Sequence, residues 1–460
     1  MGLITNMRWW LVALVLSGCT IHPTYVRPRV AMPAGWHGTQ ALGNTQPVWP
    51  AHDWWRSFDD ATLNELEQTA LASNHDLQAA LSRVAQARDI ARIAGASLYP
   101  TLDASLHGKR GQNIHKSSSG RANEAQLNGA FDPDVWGALH GVKRAAQAQA
   151  LAASEASANT ALEVAANVAS SYFQLAAFDE RVELVRQTIE TASRIDVLIE
   201  TRYRAGAVSD LDEAQSKTSL ANIQAGLPAL EQGREQTLHA LAILLAKSPA
   251  ELTVQPRRLT GFSFPATLPV GLPSELLQRR PDVRQAEENL IAANADIGTA
   301  RARLFPSIAL TGDGGYASDQ LSTLLRNSNS TLSFGIQMLA PIFHGGALRA
   351  DVDRSTERYN ELLQAYHQTV LGALRDVEDA LIALQKLSAQ EELLDEAQLQ
   401  AKRAFNLAEI RYRGGASDAF TMLTAQNTWL NTQNSVLQTR FARMNALVSL
   451  YKALGGGGQE

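Results

Sequence analysis

Few residues of this chain could do chemistry, and most of those lack the spacing that chemistry needs. The ten histidines are scattered, and no set of His, Cys, Asp or Glu has the spacing of metal ligands. Asp179, Glu180 and Glu183 cluster within a long helical pattern, where a solvated face explains them better than an acid–base pair. Gly312-Asp313-Gly314-Gly315 has the glycines of a phosphate loop, but it lies in a strand pattern with no helix after it. Ser17 falls in a short N-terminal apolar run and is no nucleophile. The chain therefore reads as a non-enzyme, with no cofactor and no metal. What remains is charge chemistry in two near-copies of one motif. Arg202-Tyr203-Arg204-Ala205-Gly206 stands before Asp210 and Asp212, and Arg411-Tyr412-Arg413-Gly414-Gly415 stands before Asp418. Glycine suits a tight reversal of the chain there, and the arginines and carboxylates can pair across neighbouring helices.

The elements that carry these motifs are themselves duplicated. Leu98-Tyr99-Pro100 matches Leu304-Phe305-Pro306, Pro133 with Gly137 matches Pro341 with Gly345, and each RYRxG motif leads to an Ala-Gln pair (Ala214-Gln215, Ala425-Gln426). A near-constant offset over such a length signals duplication of a whole unit. Residues 138–204 and 347–413 contain no proline and are rich in helix formers. A continuous helix of that length would run roughly 100 Å, too long for a compact domain, so it must pack along others. Leu423, Leu430, Leu437, Met444 and Tyr451 recur every seven residues, and Leu162, Ala165, Ala169, Tyr172 and Ala176 alternate steps of three and four. Such a repeat stays on one face only in a left-handed supercoil. Pro228 is expected to kink or interrupt the helix that runs from about Asp210 to Ala246.

Between the helices lie four stretches of period-two alternation, at about 98–110, 121–135, 304–316 and 330–342. Leu102, Ala104 and Leu106, then Ala125, Leu127, Gly129 and Phe131, alternate with small or polar residues. Ile308, Leu310, Gly312, Gly314 and Tyr316, then Leu332, Phe334, Ile336 and Met338, repeat the pattern. Each stretch has about the length of a tilted membrane strand. The loops Gly111–Gly120 and Ala317–Asn329 read as exposed connections within strand pairs. Lipid tolerates no open sheet edge, and four strands cannot enclose a lumen, so several copies must share one barrel. Three copies give twelve strands around an aqueous pore. The expected fold class is mixed α and β: a trimeric twelve-stranded outer-membrane β-barrel continuous with a long α-helical coiled-coil barrel.

At the N-terminus, Arg8, the apolar run Trp9–Leu16 and Leu16-Ser17-Gly18-Cys19 read as an export signal over 1–18. Cys19 is the only cysteine, so no disulfide forms within one chain. Leu16-Ser17-Gly18-Cys19 resembles a bacterial lipobox, which implies cleavage before Cys19 and acylation of that residue; Thr20 then favours the outer membrane. Several acyl chains anchor durably where one does not. Residues 19–60 read as an extended segment that follows a surface, 61–248 as the first repeat, 249–281 as a linker, 282–454 as the second repeat and 455–460 as a flexible tail. With 41 basic and 46 acidic residues and no basic stripe, nucleic acid is excluded as a partner.

The segment from Leu272-Pro273-Ser274-Glu275 through Arg279-Arg280-Pro281-Asp282-Val283-Arg284 and Ala292-Ala293-Asn294-Ala295-Asp296-Ile297-Gly298 to Leu304-Phe305-Pro306-Ser307-Ile308 resembles outer-membrane efflux lipoproteins. Trp54-Trp55-Arg56-Ser57-Phe58, Phe131-Asp132-Pro133-Asp134-Val135-Trp136-Gly137 and both RYRxG motifs fit as well. These proteins form a branch of the TolC-like outer-membrane factor superfamily that serves resistance-nodulation-division pumps. The resemblance implies a homotrimer, held in outer-membrane lipid and extending into the periplasm. It further implies a periplasmic adaptor (membrane fusion) protein and an inner-membrane efflux pump as partners, with passive export of drugs or other small toxic compounds. A duct for polypeptide secretion and a non-channel periplasmic coiled-coil lipoprotein are the alternatives. The RYRxG motifs end the long helices away from the strands, which makes Arg202, Arg204, Asp210, Asp212, Arg411, Tyr412, Arg413, Asp418, Phe420 and Thr424 the candidates for a periplasmic gate. The family often carries an aspartate where Thr424 stands and an arginine where Asn427 stands, so the usual charged constriction is missing. Asp418, Phe420 or neither closes the pore; the sequence leaves this open, along with the exported compounds and the particular pump and adaptor.

Overall fold

The computed structural model describes residues 21–37, 45–46, 49–112, 119–262, 264–265 and 268–456. Among these, one compact unit takes the residues up to Arg29 with Ser82–Ser154 and Gln285–Gln368; the other takes Val30–Leu81, Glu155–Arg284 and the residues from Thr369 onward. The helices are α1 (Ala61–Ser73), α2 (His75–Ala96), α3 (Ala138–Arg204), α4 (Asp210–Leu244), α5 (Leu276–Arg279), α6 (Pro281–Ala302), α7 (Ala347–Arg413) and α8 (Ala419–Ala453). The duplication is visible in their lengths: α3 and α7 have 67 residues each, α4 and α8 have 35 each. The helix α4 passes through Pro228 without interruption, because the proline removes only one backbone donor.

The first unit holds an antiparallel sheet of β2 (Thr101–Gln112), β3 (Ser119–Phe131), β5 (Ser307–Ser318) and β6 (Ser330–Leu339), in that order. The remaining strands, β1 (Thr45–Gln46) and β4 (Leu268–Pro269), pair in parallel in the second unit. Pro100 and Pro306 lie one residue before β2 and β5, where no ladder donor is needed. Register carries the apolar positions of all four strands onto one face: Leu102 opposes Gly129, Gly129 opposes Gly312, and Gly312 opposes Phe334. That face is bare in the single chain, with Phe334 82% and Ile336 79% exposed. The opposite face is polar. Asn128 donates to Ser105 at 2.8 Å, and Ser333 donates to Asp313 at 3.1 Å. At Gly315 a Cβ would meet the Ala125 carbonyl oxygen, so the close approach of β3 accounts for one glycine of the Gly-Asp-Gly-Gly cluster. The loop after β5 is less open than its composition suggests: it contains two short 3₁₀ turns and buries Leu324.

The second unit has an aromatic core. Trp54 stacks on Tyr451 at 5.1 Å, Phe58 meets Phe173 edge-on at 4.8 Å, and Phe173 meets Phe262 at 5.2 Å. The seam residues Ala165, Ala169, Tyr172, Ala176, Leu437, Met444 and Tyr451 are buried, as their spacing requires. The segment at 249–281 does more than link the repeats, since it buries Leu252, Val254, Leu259, Phe262, Val270 and Leu276 in this core. The N-terminal segment also enters it: Trp36, Trp54, Trp55 and Phe58 are buried, and the Trp36 indole donates to the Val270 carbonyl at 3.1 Å. Gly455 and Gly456 are buried after α8, so the expected flexible tail does not begin there; residues 457–460 lie outside the described residues.

Two buried glutamates in this unit have opposite surroundings. Glu391 accepts from Arg440 and Arg443, each at 2.9 Å. Glu67 is 0% exposed, and neither carboxylate oxygen has a hydrogen-bond partner among the described residues. Burial therefore holds its pKa well above the ordinary 4.5.

Each long hairpin reverses through the same turn. The Gly206 amide donates to the Tyr203 carbonyl at 2.8 Å and the Ala207 amide to that of Arg202 at 2.9 Å; in the second repeat, Gly415 donates to Tyr412 at 3.0 Å and Ala416 to Arg411 at 2.8 Å. This is the Schellman arrangement, and Gly206 and Gly415 occupy its left-handed position with φ of 73° and 74°. A Cβ at either glycine would meet nothing within 4 Å, so only the backbone conformation demands glycine. Gly206→Ala and Gly415→Ala should each cost about 1–2 kcal/mol in thermal or denaturant unfolding, and Asn at the same positions less. A second expectation concerns Glu67. Because the folded state keeps a proton that the unfolded chain releases, stability is full below about pH 4.5 and falls as pH rises above it. Glu67→Met should therefore raise stability by about 1–3 kcal/mol at neutral pH, with the gain shrinking in acid, as melts across pH would record.

Candidate gate at the paired hairpin turns

All ten candidate gate residues lie in the second unit, around the two turns. Beneath the turns, Ile195 and Ile199 of α3 pack with Phe405, Ala408 and Tyr412 of α7 and with Ala419, Met422 and Leu423 of α8. Phe405 stacks on Trp429 at 5.4 Å. This apolar plug fixes α3 against the second hairpin and so sets the distance between the two turns.

Arg202 spans that distance. Its guanidinium donates to the carbonyls of Tyr412 and Arg413, both at 2.8 Å, and lies 4.6 Å from the centre of the Tyr412 ring. The last carbonyls of a helix have no partner within it, and the helix dipole leaves them negative, so a planar cation with paired donors suits them. Tyr412 is buried below, and its hydroxyl has no hydrogen-bond partner among the described residues. Burial raises its pKa, and the Arg202 charge opposes that rise.

The carboxylates are used differently from the cross-helix pairing expected of them. Asp212 belongs to a capping box: Ser209 donates to it through both Oγ (2.8 Å) and its backbone amide (3.0 Å). Asp418 is the N-cap of α8 and accepts the Thr421 amide at 2.7 Å, which holds its carboxyl below the usual range. Asp210 accepts from the Tyr203 hydroxyl and so raises the tyrosine's pKa. Arg204 pairs with Glu200 and Arg413 with Glu409, one turn back on their own helices. Among the described residues, no arginine–carboxylate pair joins the two turns. Helix ends compete for carboxylates first, because their amides are otherwise unsatisfied.

Phe420 is 61% exposed in the first turn of α8, and Thr424 is exposed one turn later. Leu211, 64% exposed, stands at the matching position of α4. Sequence reasoning overlooked Leu211, although it lies 209 residues before Phe420, just as Arg202 lies 209 before Arg411. The Ala-Gln pairs lie 211 apart and so are not equivalent in the helices. Gln426, buried with both amide atoms unpaired among the described residues, gave no sign beyond its place in that pair. Cys19 lies outside the described residues.

Comparison with known proteins places the whole chain. The family model described as outer membrane efflux protein matches residues 66–247 and 272–456. The pyoverdine export outer membrane protein OpmQ of Pseudomonas aeruginosa is 35% identical over 465 residues, covering 99% of this chain and 97% of that protein. The solved structure of the outer-membrane channel OprN superposes with a TM-score of 0.88 at 28% identity, over 95% of this chain and 99% of the other. The CmeC outer membrane channel of Campylobacter jejuni gives 0.90 at 25% identity, over 96% of each chain. The chain belongs to the outer membrane efflux protein family, and it is a non-enzymatic outer-membrane channel of an efflux system.

Proposed function

We propose that three copies of this chain close one twelve-stranded barrel in the outer membrane, with the long helices forming a periplasmic α-helical barrel. The carrying observation is the sheet: a bare apolar face in register across four strands, with β2 and β6 unpaired at its edges among the described residues. Lipid can cover the apolar face but cannot satisfy the edges, and a neighbouring copy can. The polar rung of Asp103, Asn128, Asp313 and Ser333 then lines the lumen. Acylated Cys19 would anchor each copy in outer-membrane lipid. A periplasmic adaptor and an inner-membrane pump complete the system, supplying energy and most of the selection, so the duct itself is passive. OpmQ is named for pyoverdine, other relatives for solvents, toluene and antibiotics, and CusC for cations. The cargo is accordingly drugs or other small toxic compounds.

The gate is assigned to the turns. Asp418 is committed to capping α8, which favours Phe420 as an apolar constriction, with Leu211 as its counterpart and Arg202 holding the turns closed. Single-channel conductance in planar bilayers tests this. Phe420→Ala and Arg202→Ala should each raise closed-state conductance several-fold. Asp418→Ala should chiefly cost a helix cap, about 1 kcal/mol of stability. If Phe420→Ala conducts like wild type, the constriction lies elsewhere. A native mass measurement in detergent should give a trimer, and a monomer would remove the shared-barrel reading.

A further inference from the structure

The Arg202 clasp has a counterpart that the single chain leaves unmade. Arg411 holds the position of Arg202 in the second repeat, after an equally long helix and before the same turn. Its guanidinium reaches only the Ala416 carbonyl of its own turn, at 3.4 Å, among the described residues. The acceptor side is vacant too: the Arg413 carbonyl takes a bond from Arg202, while among the described residues no donor reaches the equivalent Arg204 carbonyl. Beside Arg411, the face of α7 carries exposed Leu407 and Ile410. The first repeat matches these with Leu198, packed on the apolar plug, and Thr201. A donor without its acceptor, an acceptor without its donor and an uncovered apolar patch thus sit at positions related by the internal repeat.

We infer that in the assembled channel Arg411 makes the same clasp between copies, donating to the carbonyls of Tyr203 and Arg204 of the next copy. The partner is a second copy of this chain, argued from repeat equivalence and from the match of a bidentate cation with helix-terminal carbonyls. Turns of the first and second kind then alternate around the ring, each held to the next by one arginine. This rests on the trimeric reading above.

Thiol crosslinking tests the contact. An arginine spans too far for its replacement by cysteine to form a disulfide, so a short flexible bismaleimide is used on Arg204→Cys/Arg411→Cys trimers. Single-cysteine variants control for any reaction at Cys19, the only native cysteine. Covalent dimers and trimers on denaturing gels are the expected result. The internal pair Arg202→Cys/Arg413→Cys reports the clasp within one chain and should leave monomers. If the internal pair reacts while Arg204→Cys/Arg411→Cys stays monomeric in a protein whose native mass is still that of a trimer, the contact is refuted and the trimer stands. Thermal dissociation gives a second reading. Arg411→Ala should lower the temperature of trimer dissociation by more than Arg413→Ala does, and equal shifts count against the clasp.

Discussion

The constraint on which this structure depends is that lipid offers no partner for a backbone amide or carbonyl. Among the described residues, one chain supplies only four strands to this sheet, with an apolar face fully in register and unpaired edges at β2 and β6. Such a sheet is unstable alone in either solvent: water would meet Phe334 and Ile336, and lipid would meet the edges. The proposed shared barrel answers both requirements, and the alternation of apolar and polar residues is what it needs from each copy. The non-channel coiled-coil reading fails on this sheet, because a membrane tether has no use for it.

The second unit solves a different problem. Long alanine-rich helices approach closely but bury little area each, so the stability of that unit comes from elsewhere. The aromatic cluster of Trp54, Phe58, Phe173, Phe262 and Tyr451 draws on the N-terminal segment, the inter-repeat segment and the helices together. Segments that seemed peripheral by composition are core because tryptophan and phenylalanine bury more area per residue than alanine. Ionisable groups follow the same logic of satisfaction. Glu391 is buried with two arginines, whereas Glu67 is buried with none and burial raises its pKa.

At the turns, satisfaction of helix ends outranks pairing of charges. Ser209 and Asp418 cap the helices that leave the turns, and Arg202 caps the helix that arrives from the other repeat. With the carboxylates committed to helix ends, the large apolar side chains exposed beside them in the first turns of α4 and α8 are Leu211 and Phe420. The departures from the family pattern at Thr424 and Asn427 fit that arrangement, since neither residue adds a charge to it.

The sequence by itself determined the duplication, the helix lengths, the strand faces and the membership of the chain, because period, proline position and glycine at a left-handed turn are local properties. The capping spacing of Ser209 with Asp212, and of Asp418 with Thr421, is present in the sequence, but it does not by itself exclude the cross-helix pairing of charges that the sequence suggests. Only the tertiary structure decided what Arg202 binds, that Glu67 has no hydrogen-bond partner among the described residues, and that residues 249–281 enter the core as well as joining the repeats. The acceptors of Arg202 are backbone carbonyls, which every residue possesses and no sequence pattern marks. Which of them a side chain finds depends on the packing of α3 against α7 and α8, and that packing joins residues some two hundred positions apart.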